Sequence, residues 1–473
     1  MKKICLTIAV ALFAISIFAQ TENVEVTVYN SGFGLVKEIR QMDIKKGENH
    51  YFFDDVAAMI EPQSVLFKSL TDPSSIALLE QNYEYDLLNA RNILAKSIGK
   101  KVTCKDGITG TLLSAPGVGN TYDAGIIVKC DDGKIMLYPS IEYITELPEG
   151  LIAKPTLNML IDSPKDQKHR TELSYITQGF QWNANYVVLL NDKDDQCDIN
   201  GWVTVNNNCG TSFNNANLTL VAGDVNRVTP VMNRNAAKDM SFEMAGMAMP
   251  APAKGFAEEG FFEYHLYKLG RNTDLKSNES KQISLLTGNN VKITKKMTFT
   301  PHLRYQSFCL GFDVNPYAVA TSQNTKIPVI LEIKNAEENN LGMPMPKGTV
   351  KIYKKDRSGN EQFVGEDRID HTPKDETIKL RAGNAFDIVG EYKLLEYKRI
   401  SNNTIEETYA VTIKNHKKDE DCTVYFYENL WGDWKITKKD SDYNKIDAYT
   451  IEFPINVKKD SVKTITYTIR TKY

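Results

Sequence analysis

The densest collection of groups able to move protons or hold charge lies at residues 365–373, where Glu366, Asp370 and His371 stand with Asp367 and Arg368. Two carboxyl groups at a set separation serve as acid and base, or as acid and nucleophile, in glycoside hydrolysis. A histidine adds a base that works near neutral pH. The same residue types also describe an arginine–carboxylate network that pins a strand end, with His371 capping a turn, and both readings stand on this run. A second candidate is Asn191-Asp192-Lys193-Asp194-Asp195. Calcium is a hard cation that takes several carboxylate oxygens, which makes Asp192, Asp194 and Asp195 candidate ligands. The run lacks the glycine and distal glutamate of an EF-hand loop, and a solvated acidic hairpin has the same composition. A third is Met240, Met244, Met247 and Met249, within residues 229–260. Thioethers suit copper(I), and a mobile insertion that happens to contain methionine reads identically.

Nucleophilic chemistry has less support. The G-x-S-x-G elbow, the H-E-x-x-H helix and the phosphate-binding G-x-x-x-x-G-K-[ST] loop are all missing, and the sequence calls for no cofactor. The 6 histidines fall at positions 50, 169, 265, 302, 371 and 416, with no two spaced as neighbours on one helix face. That weakens a triad hydrolase and a zinc enzyme alike. Of the 7 cysteines, Cys5 lies in the N-terminal apolar run, and the others are too widely spaced for paired zinc ligation. An oxidising compartment permits disulfides. Cys104 with Cys130, and Cys197 with Cys209, sit on strands that are candidates for neighbours; buried free thiols are the alternative. Trp431 and Trp434, with Tyr425, Tyr427 and Tyr443, would stack on sugars if exposed or build a core if buried.

The elements that must position these groups are read from periodicity. Lys2 and Lys3 precede an apolar run at 4–18, and Ala19 ends it before Gln20. This is the pattern of a secretory signal peptide at residues 1–19, which places the mature chain in the periplasm or at the surface of a bacterium. No later run is long and apolar enough to span a membrane. Val24, Val26 and Val28 alternate with polar residues as a half-buried strand does, opening an N-terminal β domain at 20–83. Leu87, Arg91, Leu94 and Ile98 recur on one helix face, predicting a helix over 84–100 that ends at Gly99. Short strands with Asp-Gly turns follow, so 84–150 reads as one short helix plus a small SH3-like barrel. Residues 155–300 read as a β-rich domain interrupted by a mobile Met/Ala/Pro loop at 229–260, and 301–473 as a C-terminal β-sandwich. The expected fold is mainly β: tandem antiparallel β-sandwich-like domains with the small barrel and helix in the N-terminal third. Residues 203–206, 330–335 and 411–415 each alternate and close on asparagine, which is either a weak internal repeat or shared turn chemistry.

The 473 residues are 42% hydrophobic and 25% charged, with a formal net charge of −3. That excludes a disordered or collagen-like chain and offers no basic surface for a nucleic-acid partner.

Several ordered blocks carry a family resemblance. They are residues 172–186, containing Gly179-Phe180-Gln181-Trp182-Asn183-Ala184-Asn185-Tyr186; Gly201-Trp202-Val203-Thr204-Val205-Asn206-Asn207; and Leu220-Val221-Ala222-Gly223-Asp224-Val225. They continue with residues 365–373, Gly383-Asn384-Ala385-Phe386-Asp387, Asn415-His416-Lys417 and Gly432-Asp433-Trp434. Over roughly residues 155–473 the chain resembles the domain-of-unknown-function 4139 family, which includes mucoidy-inhibitor-like proteins. The resemblance implies architecture and no agreed activity. The expected function is therefore a non-enzymatic binding or scaffolding module of the bacterial envelope, with an envelope protein or glycan as partner. The alternatives are a hydrolase of envelope glycan or peptide using Glu366, Asp370 and His371, and a metal-handling protein using the Met-rich loop.

Overall fold

The computed structural model describes residues 20–105, 107–116, 125–223, 225–227, 256–300 and 325–473. The expected signal peptide, the four methionines of the Met-rich loop, His302 and Cys309 lie outside the described residues. The protein is mainly β, of a β-sandwich-like class, with several sheets and one short α-helix among the described residues. No helix among the described residues is long and apolar enough to cross a membrane.

The chain forms two compact units, each discontinuous in sequence. One contains Met1–Trp182 and Val205–Lys281, the other Asn183–Thr204 and Gln282–Tyr473. This partition departs from the contiguous segments expected from sequence, and strand pairing supplies the reason. The opening strand Gln20–Tyr29 lies between Phe33–Ile44 on one side and the distant strand Phe213–Ala222 on the other. Phe33–Ile44 in turn pairs along its whole length with Gln167–Gln178. Residues 20–83 therefore complete their sheet only with strands from the next 150 residues of chain.

In the first unit these strands belong to an eight-stranded sheet that ends at the hairpin Phe256–Phe261 and Tyr264–Leu269. Phe256–Phe261 overturns the sequence expectation that the irregular loop ran to residue 260. The core of this sheet is aliphatic and aromatic: Val26, Val28, Val36 and Leu173 are fully buried beside Tyr175, Phe180 and Trp182. Trp182 satisfies its indole N–H on the Val221 carbonyl at 3.2 Å. Gly179 precedes these rings at φ +89°, where a Cβ would run into the Asn208 carbonyl. A left-handed backbone pressed against another strand admits only glycine.

The helix is shorter than its periodicity suggested. Glu84 closes a strand paired with Thr156–Ser163, so helix formation waits until Asn89, whose side chain caps the Asn92 N–H. Only Ala90–Lys96 is helical. The segment expected to form the small barrel folds as a five-stranded antiparallel sheet of Lys101–Cys104, Thr109–Ser114, Ile127–Cys130, Ile135–Leu137 and Ile141–Ile144. Its first strand pairs with both the second and the last, around Val102, Cys104, Leu112, Ala115 and Val128.

The second unit is dominated by a broader sheet, and three of its strands (Phe180–Leu190, Gln196–Asn207 and Glu279–Phe299) run on from residues of the first unit. Its core centres on Phe426, whose ring lies 5.9 Å from Phe299 and from Tyr392 and 6.0 Å from Phe453. Glu428 is buried among these rings and accepts hydrogen bonds from Tyr392 at 3.0 Å and from Tyr467.

Strand ends in both units are closed by buried asparagines. Asn207 donates to the Thr211 and Leu275 carbonyls while its oxygen accepts from Cys209 N. Asn335 donates to the Met343 and Pro373 carbonyls and accepts from Gly342 N. Asn415 donates to the Glu420 and Lys458 carbonyls at 3.0 and 3.2 Å and accepts from Lys417 N at 3.0 Å. Truncating such a side chain strands several buried backbone groups, at about 1–3 kcal/mol for each one left unsatisfied. Asn415→Ala is expected to lower the urea-unfolding free energy by roughly 2–4 kcal/mol. The conservative Asn415→Ser should recover little, because its hydroxyl cannot span both carbonyls and the Lys417 N–H.

Candidate functional site

The strand Phe33–Ile44 buries Val36, Glu38, Arg40, Met42 and Ile44 on alternating positions. Two charged residues thus occupy the middle of an otherwise apolar face. Burying a charge is costly unless it is paired and hydrogen-bonded, and here the pairing is extensive. Arg40 Nε donates to Glu38 Oε2 at 2.9 Å, a second guanidinium nitrogen contacts the same oxygen, and Nη1 donates to Asp55 Oδ1 at 2.9 Å. The guanidinium also lies 5.4 Å from the centre of the Phe53 ring. Tyr175 contributes its hydroxyl to Glu38 Oε1 at 3.5 Å.

Desolvation acts to lower the Arg40 pKa, but the charges of Glu38 and Asp55 outweigh it and hold the guanidinium ionised. Burial pushes the Glu38 carboxyl up, with Arg40 opposing. Glu38 and Arg40 are each 3% exposed, whereas the Asp55 side chain remains about half exposed.

This cluster floors a cavity of about 410 Å³ lined by Thr21, Glu22, Asn23, Thr211, Ser212, Phe213, Asn214 and Asn215. Both carboxylates flanking the cavity have partners of their own. Glu22 is held by Arg170 at 2.6 Å and Gln41 at 2.7 Å, so its carboxyl lies below the usual range. Asp55 is held by Arg40. What the cavity offers a ligand is therefore amide and hydroxyl groups together with the apolar side chains of Val24 and Phe213, beside charges that are paired with one another. The sequence did carry a signal for this site. Val36, Glu38, Arg40, Met42 and Ile44 form a period-two pattern in which charge replaces apolar residues at two consecutive inward positions.

The residues singled out from sequence lie elsewhere. Glu366 sits on the exposed side of the strand Glu361–Ile369, and Asp370 follows its end. Four residues of extended chain separate them by roughly 13 Å, beyond the ~5–9.5 Å at which glycosidase carboxyl pairs work. His371 accepts from Lys347 N at 3.3 Å, and Thr372 bonds back to the Asp370 carbonyl. Asp367 ties the Arg368 and Arg381 backbone N–H groups. The expected acid–base set is thus spread along a strand end that it helps to fasten.

At the acidic turn, Asp194 adopts φ +57° and meets Lys295 at 2.6 Å and Lys354 at 2.5 Å. Asp195 is held by Asn191 at 2.6 Å, and the Asp192 carbonyl takes a further bond from Lys354. Lysine ammoniums thus engage the Asp194 carboxylate and the Asp192 carbonyl of this turn. Among the described residues, no group of three or more His, Cys, Asp or Glu is placed to hold a metal ion.

Cys104, Cys130, Cys197 and Cys209 are buried free thiols, so neither expected disulfide forms. Cys104 and Cys130 are on strands that flank Thr109–Ser114, two strand spacings or ~9.5 Å apart. Cys197 opens the strand Gln196–Asn207 and Cys209 follows its end, so an extended strand separates them. Burial pushes the Cys197 thiol up to about 12 and Cys209 up to about 11.

The C-terminal aromatics are packed. Trp434 donates to the Ala448 carbonyl at 2.8 Å, Tyr443 lies on Phe453, Trp431 on Tyr473, and Tyr427 bonds Glu452 at 2.7 Å. Tyr425 takes the Lys296 ammonium over its ring. No protein-family model matches this chain, and no curated protein matches it.

Two outcomes test the electrostatics. Arg40→Ala is expected to cost about 3–5 kcal/mol in urea unfolding, because Glu38 is left buried without its partner, whereas Glu38→Leu with Arg40→Met should cost far less. For Asp194, burial acts to raise the pKa, but Lys295 and Lys354 outweigh it and the carboxyl lies below its ordinary 3.8. The unfolded chain then binds a proton first as pH falls. The stabilisation is complete above the ordinary value and is lost as pH drops through the lowered one. Asp194→Asn should flatten that acid limb of unfolding midpoint against pH, and added calcium should leave the melting temperature unchanged.

Proposed function

We propose that the protein is a non-enzymatic binding module of the bacterial envelope. The cavity above Arg40 takes a neutral, hydroxyl-rich ligand such as a short envelope glycan. The observation that carries this reading is the cavity itself: about 410 Å³, within the range of small-molecule sites, with its charges paired internally and amides, hydroxyls and the apolar Val24 and Phe213 around them. An anionic ligand meets a guanidinium that is already engaged by Glu38 and Asp55. A cationic ligand would have to displace Arg40 or Arg170 from its carboxylate. A sugar hydroxyl, which both donates and accepts, matches Asn214, Thr21 and the second Asp55 oxygen without disturbing either pair.

Export rests on the charged and apolar pattern of residues 1–19, and membership of the domain-of-unknown-function 4139 family on the ordered sequence blocks between 172 and 434. Both are part of the proposal.

One observation favours a hydrolytic alternative. Burial raises the Glu38 carboxyl, although Arg40 opposes it, while Asp55 stays partly solvated. Carboxyls in contrasting environments are what acid and nucleophile roles require.

Titration of the purified chain with neutral oligosaccharides and soluble peptidoglycan fragments by calorimetry tests both. Binding should weaken about 5- to 100-fold in the double variant Asn214→Ala with Thr21→Val, the loss of two hydrogen bonds at ~0.5–1.5 kcal/mol each. Unchanged affinity in that variant removes the cavity from the function. New reducing ends that appear with the wild type and vanish in Asp55→Asn would establish the hydrolase instead.

A further inference from the structure

The hairpin Phe256–Phe261 and Tyr264–Leu269 closes through a two-residue turn, since Phe261 is opposite Tyr264. Two-residue hairpin turns ask for a positive φ at their first position, which glycine, asparagine or aspartate supplies. This turn has Phe262 there, at φ +54°. A bulky side chain in left-handed geometry is an outlier that the turn itself does not want. Nor does a core want it: Phe262 is 84% exposed and its neighbour Phe261 58%. Both the backbone and the hydrophobic effect disfavour the residue, so among the described residues neither fold nor packing accounts for its identity. Strain kept at an exposed position points to a contact outside the chain.

The surroundings define the chemistry of that contact. The Phe262 ring stands 6.0 Å from Tyr264, tilted by 46°, and Tyr264 lies over the bare backbone of Gly223. Across residues 256–269, Glu258, Glu259 and Glu263 face one formal cation, Lys268, a balance of −3 + 1 = −2 with His265 neutral. Glu259 is engaged by Lys268 at 2.5 Å and Glu258 by His265 at 2.7 Å. Glu263, the second turn residue beside the exposed Phe262, has no ion-pair partner among the described residues. Aromatic faces attract ammonium and guanidinium groups, and an adjacent carboxylate completes the site. We propose that this hairpin tip docks a cationic segment of a partner polypeptide, with a lysine or arginine head held over Phe261 and Phe262 and paired with Glu263. The negative balance disfavours an anionic lipid surface. The tip is independent of the cavity: Tyr264–Leu269 pairs with Thr219–Ala222 of the strand Phe213–Ala222, whereas the cavity takes residues 213–215 at the strand's other end.

The test is titration of the full chain with a hexa-arginine peptide at low salt, with glycine–serine and hexaglutamate peptides as controls. Wild type should bind hexa-arginine alone, and increasingly weakly as salt rises. Phe262→Gly should weaken binding at least fivefold while leaving the melting temperature equal or higher, because glycine suits the turn. Glu263→Gln should weaken it and blunt the salt dependence. The proposal is overturned if hexa-arginine does not bind or if Phe262→Gly binds as wild type. It is also overturned if Phe262→Gly unfolds earlier, which would make the ring structural, or if phosphatidylcholine vesicles, and not the peptide, are bound through Phe262.

Discussion

Wherever a buried strand stops or turns, its last backbone N–H and C=O groups lose their ladder partners while still shielded from water. A chain built almost wholly of strands meets this constraint many times over, and an unsatisfied group costs as much as a lost hydrogen bond. Here the recurring answer is an asparagine held below the surface. Asn207, Asn335, Asn339 and Asn415 are each under a tenth exposed, and each presents amide donors and a carbonyl acceptor to backbone groups at or beside strand ends and connections. Asn339 shows the economy of the device: its oxygen accepts from Lys292 N while its nitrogen donates to the Lys292 and Lys334 carbonyls. The residue type follows from the task, since a single short side chain must both donate and accept.

The same rule, applied to charge, produces the cavity. Glu38 and Arg40 are adjacent on one face of one strand, so their mutual contact is fixed by the pleat and needs no long-range search. The third member, Asp55, arrives from beyond the strand Gly47–Phe53, which pairs with Leu157 and its neighbours in a different sheet. Arg40 therefore ties two sheets of the first unit through one guanidinium, and the hollow beside it is floored by groups already satisfied.

Much of the architecture was legible because it depends on local periodicity. Val24, Val26 and Val28 are buried as alternation required, and the four short strands from Lys101 to Leu137 fall within a few residues of the periodic segments, whereas Ile141–Ile144 is an additional strand. The expected helix lost its first turn because Glu84 was claimed by pairing with Thr156, a contact over seventy residues away that periodicity cannot register. The interleaving of residues 20–44 with 167–222 was hidden for the same reason. At the sites, counting polar residues misled. The run at 365–373 is dense in sequence but strung along an extended strand, whereas Glu38 and Arg40 looked unremarkable yet occupied inward positions. The asparagine closures were seen as a pattern. One was assigned a residue early, to Asn206, because alternation alone does not say which member of an Asn-Asn-Asn run turns inward.

Burial works against the charged forms of His169, Cys197 and Cys209. His169 has its pKa lowered by desolvation and shares a 2.8 Å hydrogen bond with Ser69, an arrangement that on paper is a nucleophile and its base. Both residues are 1% exposed, and Ser69 Oγ already accepts from Asp72 N. A triad base needs a third group to orient it, and the other ring nitrogen of His169 is buried without a hydrogen-bond partner. The thiols of Cys197 and Cys209 are pushed up by the same exclusion of water, and a thiol, unlike a thiolate, is a poor nucleophile. Solvent meets other groups, among them the amides and hydroxyls lining the cavity and the exposed Phe261 and Phe262 of the hairpin turn. Burial thus sets His169, Cys197 and Cys209 apart from the solvated carboxylates, such as Asp55 and Glu366, that the fold leaves in contact with water.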